Sequence, residues 1–355
     1  MTPNSATTLS PSLSNSEPAS TDSKEGIRPL LVTGAGGFLG SALARFLLQQ
    51  GFKVRGFARS HYPHLEEEGI EMIQGDLKDL DCVLKSVEGC QAVFHVAALA
   101  GAWGPYERYY NTNVIGTQNI IDACLHHSVS KLIFTSSPSV VHHGTDLEGA
   151  DESIDYPPSF SAYYPQTKAD AEQRILKANG SKLSTVALRP HLIWGPGDQH
   201  LIPRILDRAD RGRLRHLAPH KKVDSIYIDD AVLAHWCAFL ELSSTASCAG
   251  KAYFISQGEP WTIKELMNGI LKACNRPPVH RTLHPKIAYG LGYLFEGIYS
   301  LLRIRKEPLM TRFIAEQLST AHWYNIEAAR RDLKFNPKRS IQEALDLLHQ
   351  DFTAS

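Results

Sequence analysis

The sequence predicts an α/β protein with a doubly wound parallel β-sheet and a smaller, mostly helical C-terminal domain. Three observations support this fold class. Short apolar runs recur along the chain, segments with helical apolar spacing separate them, and a glycine-rich turn follows the first run. Strands that alternate with helices in this rhythm form right-handed βαβ units, which build a parallel sheet with helices on both faces.

The expected strands are short runs of apolar, often β-branched residues. They lie at residues 30–32, 54–58, 71–74, 92–98, 131–135 and 184–190, with a returning strand at 252–256. Helices are expected after the first run, around residues 114–124 and over residues 164–177. Beyond residue 190 we expect a loop at 194–198, a helix at 203–211, a helix ending near residue 239 and a mostly helical remainder.

Three glycines indicate that the first turn binds phosphate. Gly34, Gly37 and Gly40 have the spacing G-x-x-G-x-x-G between a strand and a helix. A Cβ atom at the first would obstruct the tight turn, one at the second would block a pyrophosphate, and one at the third would separate helix from strand. The helix that begins at Phe38 and Leu39 offers free N–H groups. The sequence therefore predicts a Rossmann-type, dinucleotide-binding domain.

The end of the second strand favours NADPH over NADH. An acidic residue there would repel a 2′-phosphate, but this chain has Arg59 followed by Ser60. A charge-assisted contact from the guanidinium corresponds to about a ten- to hundredfold preference for NADPH. Further cofactor contacts are expected from Asp76, Leu77, Ala97 and Ala98.

A tyrosine and a lysine four residues apart predict proton transfer. Tyr164 and Lys168 share one face of the expected helix. A nearby ammonium lowers the pKa of a tyrosine, which is otherwise about 10, and Lys168 could also hold the nicotinamide ribose. The strand ending at Thr135 brings a hydroxyl to the carboxyl edge of the sheet. We expect Ser137 to orient the substrate oxygen, with Ser136 and Ser139 as alternatives.

We expect three regions along the chain. Residues 1–26 are rich in Ser, Thr and Pro and predict a disordered leader. Residues 27–190 form the NAD(P)-binding domain, to which residues 223–257 return. Residues 191–222 and 258–355 form the substrate-binding domain.

Composition excludes several classes of protein. Lys and Arg total 37, as do Asp and Glu, so no global field attracts nucleic acid. The six cysteines form no CxxC pair, which predicts reduced thiols, a cytoplasmic location and no metal site. No apolar run reaches the length of about 20 residues that a membrane-spanning helix requires.

The motifs together resemble the extended short-chain dehydrogenase/reductase family. They lie at residues 33–40, 75–77, 95–98, 113–117, 135–137, 164–168 and 189–197. The resemblance implies that Ser137, Tyr164 and Lys168 are catalytic and that Asn113 supports the lysine. It also implies that Pro190, with its neighbours His191 and Leu192, lines the nicotinamide.

Within this family the chain resembles the 3β-hydroxysteroid dehydrogenase-like branch. It is more closely similar to the reductases of bacterial long-chain olefin biosynthesis, through residues 59–63, 100–104, 189–198 and 309–313. That similarity implies NADPH-dependent reduction of the 3-keto group of a long-chain 2-alkyl-3-ketoacid. The product would pass to a β-lactone-forming synthetase, and a complex with that synthetase and a decarboxylase is implied. Four residues are expected near the substrate: Trp103, His142, His191 and Trp194.

Several alternatives stay open. An apolar stripe lies within residues 287–302 and is followed by the basic residues 303–306; it consists of Ile287, Leu291, Leu294, Ile298 and Leu301. It could be a lid over alkyl chains, a helix on a membrane surface or a core helix, and a homodimer is also open. The alternative functions are a 3β-hydroxysteroid or sterol dehydrogenase, a nucleotide-sugar epimerase or dehydratase, and a non-catalytic dinucleotide sensor.

Overall fold

The computed structural model describes residues 28–354, so the expected leader at residues 1–26 lies outside the described residues. The strands are β1 Leu30–Thr33, β2 Val54–Ala58, β3 Glu71–Gln74, β4 Ala92–His95, β5 Lys131–Thr135, β6 Leu147–Ala150, β7 Ser184–Pro190, β8 Ile193–Trp194, β9 Lys222–Val223, β10 Ile226–Tyr227, β11 Lys251–Ile255, β12 Trp261–Thr262 and β13 His322–Tyr324.

The helices are distributed along the whole described chain. They are α1 Phe38–Gln49, α2 Pro63–Glu67, α3 Leu80–Val87, α4 Tyr106–Tyr109, α5 Gly116–His126, α6 Tyr163–Lys177, α7 Leu201–Asp210, α8 Ile228–Leu242, α9 Ile263–Ala273, α10 Pro285–Leu301, α11 Arg312–Gln317, α12 Glu327–Leu333 and α13 Ile341–Ala354. A π-helical turn, Tyr110–Ile115, joins α4 to α5, and a 3₁₀-helix, Pro138–Val141, follows β5.

The central sheet has seven parallel strands in the order β11-β7-β5-β4-β1-β2-β3. This arrangement confirms the predicted doubly wound α/β class and its returning strand. The chain direction across the sheet reverses between β1 and β4, which is the switch point where doubly wound sheets bind ligands beyond their carboxyl ends.

Helices cover both faces of this sheet. Along β1, Leu30 and Val32 point into one apolar cluster with Leu43 of α1, whereas Leu31 points into another cluster with Ile120 of α5. Successive side chains of a strand point to opposite faces, so a strand buried on both sides is apolar throughout. Burial on both faces of the sheet therefore explains why residues 30–32 form an uninterrupted apolar run.

A second sheet of four short strands was not predicted. Its order is β12-β9-β13-β6, and each strand has two to four residues. His322 of β13 lies in register with both Leu147 of β6 and Val223 of β9, so the sheet joins segments that are far apart in sequence. Strands this short carry no recognisable periodicity of their own.

A buried ion pair fixes α6 to the central sheet. The Arg189 guanidinium on β7 contacts the Glu172 carboxylate on α6 at 2.6 Å, and both side chains are almost completely buried. The Tyr156 hydroxyl donates to the same carboxylate at 2.6 Å, and the guanidinium lies 5.1 Å from the Phe254 ring centroid. These contacts hold in place the helix that carries Tyr164.

Helix α10 differs from a core helix. Its buried residues are Ala288 and Gly292, whereas all five residues of the predicted apolar stripe are exposed; Leu294 is 54% exposed and Leu301 83%. The core alternative for this segment is therefore wrong. Within residues 28–354, neither this helix nor another combines the length and apolarity needed to cross a bilayer.

Candidate active site

A cavity of about 490 Å³ lies at the carboxyl edge of the central sheet. Of the residues that the sequence predicted for the cofactor, His191 lies outside its wall and the following lie in it: Gly34, Gly37, Phe38, Leu39, Gly40, Arg59, Ser60, Asp76, Leu77, Ala97, Ala98, Thr135, Tyr164, Lys168, Pro190 and Leu192. The ends of β1, β2, β4, β5 and β7 thus converge on one site, which we call the dinucleotide cavity.

Two glycines of the first turn are required by close backbone contacts. Gly34 has a φ of +70°, and a Cβ atom there would lie 2.9 Å from the Cα atom of Ala97. A Cβ atom at Gly40 would lie 2.1 Å from the Gly34 carbonyl oxygen. Larger residues at these positions would separate β1, β4 and α1, as the spacing predicted.

The N-terminus of α1 faces the dinucleotide cavity. Gly37 precedes the helix, no side chain caps it, and its first turn contains no acidic residue. The first-turn N–H groups of a helix have no partner within the helix and attract anions. Sequence reasoning missed Gly36, where a Cβ atom would overlap the ring of Tyr62, another residue of the cavity wall.

Arg59 lies exposed at the rim of the cavity. Its carbonyl oxygen accepts a hydrogen bond of 3.0 Å from the Gln74 amide. Within residues 28–354 its guanidinium forms neither a salt bridge nor a hydrogen bond, whereas Arg45 nearby is paired with Glu68 at 2.6 Å. The Arg59 side chain is therefore free to meet an anion in the cavity.

Lys168 is buried beneath the cavity floor. Its ammonium donates to the Thr135 carbonyl oxygen at 2.6 Å and lies 4.0 Å from the Phe134 ring centroid. Burial lowers the pKa of Lys168 to about 7. The expectation that it lowers the pKa of Tyr164 is wrong here: burial raises that pKa, and a hydrogen bond with Ser137 only partly opposes the rise.

Ser137 is the hydroxyl that meets Tyr164. Both residues line the dinucleotide cavity, and the Ser137 Oγ atom lies 2.9 Å from the Oγ atom of Ser139 and accepts the Ser139 N–H at 3.2 Å. Ser136 also lies in the cavity wall, but its buried hydroxyl has no hydrogen-bond partner among the described residues. Ser137 thus lies in the cavity together with Tyr164, and its role in orienting the substrate oxygen stays a prediction.

Asn113 contacts the neighbour of the lysine instead of the lysine itself. Its amide nitrogen donates to the Thr167 hydroxyl at 3.0 Å and to the Leu99 carbonyl oxygen at 3.1 Å. Its amide oxygen accepts the Leu99 N–H at 2.7 Å. The expected direct support of Lys168 by Asn113 is therefore corrected: Asn113 connects the loop after β4 to α6, the helix that carries Lys168.

His95 is a buried histidine that was not predicted as a site residue. It links β1 to α5 and, through Thr117, to Asn113. Nδ1 of His95 lies 2.8 Å from the Thr33 hydroxyl, and Nε2 lies 2.9 Å from the Thr117 hydroxyl. Thr117 in turn donates to the Asn113 carbonyl oxygen at 2.6 Å. Burial lowers the pKa of His95 to about 3, so the ring is neutral and positions β1, β4 and the π-helical turn.

Two of the expected substrate residues lie away from the dinucleotide cavity. Trp194 is fully buried and packs against the Tyr227 ring at 5.7 Å, because β8 pairs with β10 where a loop was expected. Its expected substrate contact is therefore wrong. Trp103 donates to the Ile304 carbonyl oxygen at 3.0 Å and lines a separate groove with Tyr299.

His142 and His191 belong to a buried cluster with His322. The His191 and His322 ring centroids are 4.8 Å apart, and those of His142 and His322 are 5.8 Å apart. Burial lowers the pKa of His142 to about 4 and that of His191 well below its ordinary value. Neither histidine lines the dinucleotide cavity, although Pro190 and Leu192 do, so their expected substrate contacts are corrected. In the described part of the chain, no group of residues has the arrangement of a metal site.

Other residues of the cavity wall were not predicted to contact the cofactor, although several lie within the motifs. They are Gly36, Tyr62, Gly75, Val96, Ala100, Thr112, Ile193, Asp198 and His200, with Phe57 and Ala58 from β2. Asp198 accepts the N–H groups of His200 and Ile202, both at 2.8 Å, and so caps the start of α7. An aspartate shortly before a helix is a recognisable cap, which could have drawn attention to this segment.

Comparison with known proteins decides the family. The sequence profile of the 3-beta hydroxysteroid dehydrogenase/isomerase family matches residues 31–285. The chain belongs to this family. The expected recognition as an oxidoreductase of the extended short-chain dehydrogenase/reductase type is thereby confirmed.

Curated relatives fall into two groups within the family. The 2-alkyl-3-oxoalkanoate reductase of Stenotrophomonas maltophilia is 53% identical over 320 residues, which cover 89% of this chain and 97% of the relative. The reductase of the same name from Shewanella oneidensis is 46% identical, covering 89% and 84%. A 3 beta-hydroxysteroid dehydrogenase/Delta 5→4-isomerase of Mycobacterium tuberculosis is 32% identical, covering 89% and 88%.

Solved structures of the same fold extend over nearly the whole chain. The crystal structure of gox2253 has a TM-score of 0.75 and 26% identity, covering 92% of this chain and 98% of that one. The UDP-glucose 4-epimerase of Thermus thermophilus, solved in complex with NAD, has a TM-score of 0.69 and 22% identity, covering 92% and 99%. These similarities confirm the fold.

Proposed function

We propose that this member of the family reduces the 3-keto group of a long-chain 2-alkyl-3-oxoalkanoate with NADPH. One observation carries the proposal. Tyr164 and Ser137 lie in the same cavity as the glycine turn. This constellation occurs in a chain that is 53% identical to a 2-alkyl-3-oxoalkanoate reductase.

The residues of the cavity fit a nicotinamide dinucleotide. The uncapped N-terminus of α1 suits the pyrophosphate, because free N–H groups and the helix dipole favour anions. Lys168 suits the nicotinamide ribose, and Pro190 and Leu192 suit the nicotinamide ring. The unpaired, exposed guanidinium of Arg59 beside Ser60 supports NADPH over NADH.

In the proposed reaction, NADPH held in the dinucleotide cavity would supply the hydride for the keto carbon. The chain supplies the rest. Ser137 donates a hydrogen bond that orients the keto oxygen, and Tyr164 gives that oxygen a proton, so the C=O group becomes CH–OH. Burial raises the pKa of Tyr164, so the phenol keeps its proton until a developing alkoxide accepts it. Tyr164 is afterwards reprotonated from solvent.

A 3β-hydroxysteroid dehydrogenase is the second candidate. The family description and the 32% identical relative from Mycobacterium tuberculosis favour it. Weighing against it are the higher identity to the reductases and the free Arg59, since the usual oxidative direction of steroid dehydrogenases favours NAD.

The proposed product suggests partners. A 2-alkyl-3-hydroxyacid is what a β-lactone-forming synthetase requires, which supports a complex with that synthetase and a decarboxylase of the same pathway. The homodimer stays a prediction from the sequence. The exposed apolar face of α10, followed by the basic residues Arg303, Arg305 and Lys306, supports contact with an anionic lipid surface. All six cysteines are free, which supports a cytoplasmic location.

A comparison of three substrate classes tests the proposed function. The full chain is supplied with NADPH and a long-chain 2-alkyl-3-ketoacid, a 3-ketosteroid or a nucleotide sugar, and cofactor oxidation or epimerised product is measured. The highest kcat/KM is expected for the ketoacid. A higher value for the steroid would establish the second candidate, and epimerisation of the nucleotide sugar without the ketoacid reaction would refute both.

A further inference from the structure

A second cavity of about 430 Å³ lies between α7, α10 and the segment around α11. Its wall is mostly apolar and includes Ile205, Leu214, Leu291, Phe295, Phe313 and Ile314. An apolar cleft of this size is typical of sites for small molecules. We call it the apolar cavity.

The apolar cavity adjoins the dinucleotide cavity at a single residue. Leu192 lines both, two residues beyond Pro190 at the end of β7. Its φ is +40°, a left-handed conformation that is unfavourable for a leucine. Strained backbone of this kind concentrates at functional sites, where surrounding contacts enforce it. A ligand whose reacting carbonyl lies near Tyr164 could therefore extend past Leu192 into the apolar cavity.

Arginines surround the outer part of the apolar cavity. Arg204, Arg211 and Arg213 are exposed there, and Arg208 donates to the Leu309 carbonyl oxygen at 3.0 Å. Two of them are neutralised, because Arg204 pairs with Glu307 and Arg211 with Asp207. In the described residues Arg208 and Arg213 form no salt bridge, so the entrance is positively charged and attracts an acidic lipid more than a neutral sterol.

We infer that the apolar cavity holds one alkyl chain of the substrate, so that Leu192 separates the chain from the reacting carbonyl. This inference rests on the proposed function and adds that the apolar cavity determines the preferred length of the substrate's alkyl chain. Each methylene that leaves water for an apolar wall strengthens binding by about fourfold. We therefore expect kcat/KM to rise with chain length until the cavity is filled.

Two positions on α10 provide a matched test. Both leucines are exposed, Leu291 by 37% and Leu294 by 54%, but Leu291 lines the apolar cavity and Leu294, about one turn further along, does not. Leu291→Trp fills part of the cavity and should lower kcat/KM at least tenfold for a long-chain 2-alkyl-3-ketoacid. It should leave unchanged the kcat/KM for an analogue in which both alkyl chains are shortened to methyl groups, and the affinity for NADPH. Leu294→Trp should change none of these values. Ile314→Trp fills the cavity from another element and should repeat the effect of Leu291→Trp.

Binding of the product, a long-chain 2-alkyl-3-hydroxyacid, provides a readout that does not need turnover. By calorimetry, Leu291→Trp should weaken this binding at least tenfold and Leu294→Trp should not. Equal effects of Leu291→Trp on long and short ligands, or no effect on either, would overturn the inference. If the wild-type chain reduces no ketoacid at all, the proposed function fails, and the binding comparison still decides whether the cavity holds the chain.

Discussion

Burial has opposite effects on Tyr164 and Lys168, because it favours the neutral form of each. It raises the pKa of the phenol and lowers the pKa of the ammonium to about 7. The i,i+4 spacing located both residues correctly, but spacing cannot report burial. The sequence therefore placed the pair and misjudged the electrostatics, which depend on Thr135, Phe134 and Ser137 around it.

The proposed preference for NADPH depends on a single position, Arg59. Arg59→Ala removes the unpaired guanidinium, so we predict about a ten- to hundredfold loss of NADPH affinity with little change for NADH. The dissociation constants of both cofactors, measured by fluorescence titration, check this. Arg330→Ala is the control, because Arg330 is an exposed arginine on α12 that pairs with Glu327 outside the cavity. If the ratio of the NADPH and NADH dissociation constants is the same in Arg59→Ala as in the wild type, Arg59 does not contact the 2′-phosphate.

The site could be predicted for residues whose position is fixed by backbone geometry or by spacing in a motif. It could not be predicted for residues chosen only because their side-chain type suits a substrate. Gly34 and Gly40 are needed where backbones approach closely, and the motif recorded this need. Trp194 and His191 follow a recognisable motif, yet pairing of β8 with β10 and the cluster around His322 turn both side chains into the core. Such outcomes depend on contacts with residues more than 30 positions away.

Elements of the central sheet were predictable because their apolar runs and helical spacings are local. The four-stranded sheet was not, since β6, β9, β12 and β13 are defined by one another and not by their own patterns. The π-helical turn Tyr110–Ile115 was also unforeseen; it carries Asn113 towards Leu99 and Thr167. Short elements at a site are thus specified by long-range hydrogen bonds.

Helix α10 is an element whose outer face should bind lipid. Leu294 and Leu301 are exposed, and Arg303, Arg305 and Lys306 follow. We predict that the protein sediments with vesicles that contain anionic lipid. Leu294→Ser combined with Leu301→Ser should weaken the affinity for these vesicles at least tenfold. Added salt should weaken the affinity further.

A pair of exposed leucines elsewhere serves as the control for this experiment. Leu80 and Leu125 lie on α3 and α5 and are 41% and 42% exposed. Their combined change to serine should leave vesicle binding intact. If the α10 variant binds as well as the wild type, or the wild type does not bind at all, α10 has another role.

At the scale of the whole molecule, two cavities meet at the end of β7. The dinucleotide cavity belongs to the carboxyl edge of the central sheet, and the apolar cavity belongs to the helices that follow. The buried pair of Arg189 and Glu172 holds β7 against α6, so Leu192 and Tyr164 are fixed relative to each other. The proposed hydride transfer and the inferred recognition of an alkyl chain both depend on this arrangement.

The central claim is that Tyr164 donates the proton in an NADPH-dependent ketoacid reduction. The most direct measurement compares wild type and Tyr164→Phe for NADPH oxidation by a long-chain 2-alkyl-3-ketoacid, alongside NADPH binding. Removal of a general acid is predicted to lower kcat by about 10²- to 10⁴-fold, with the dissociation constant of NADPH unchanged. Near-normal turnover by Tyr164→Phe would contradict the account.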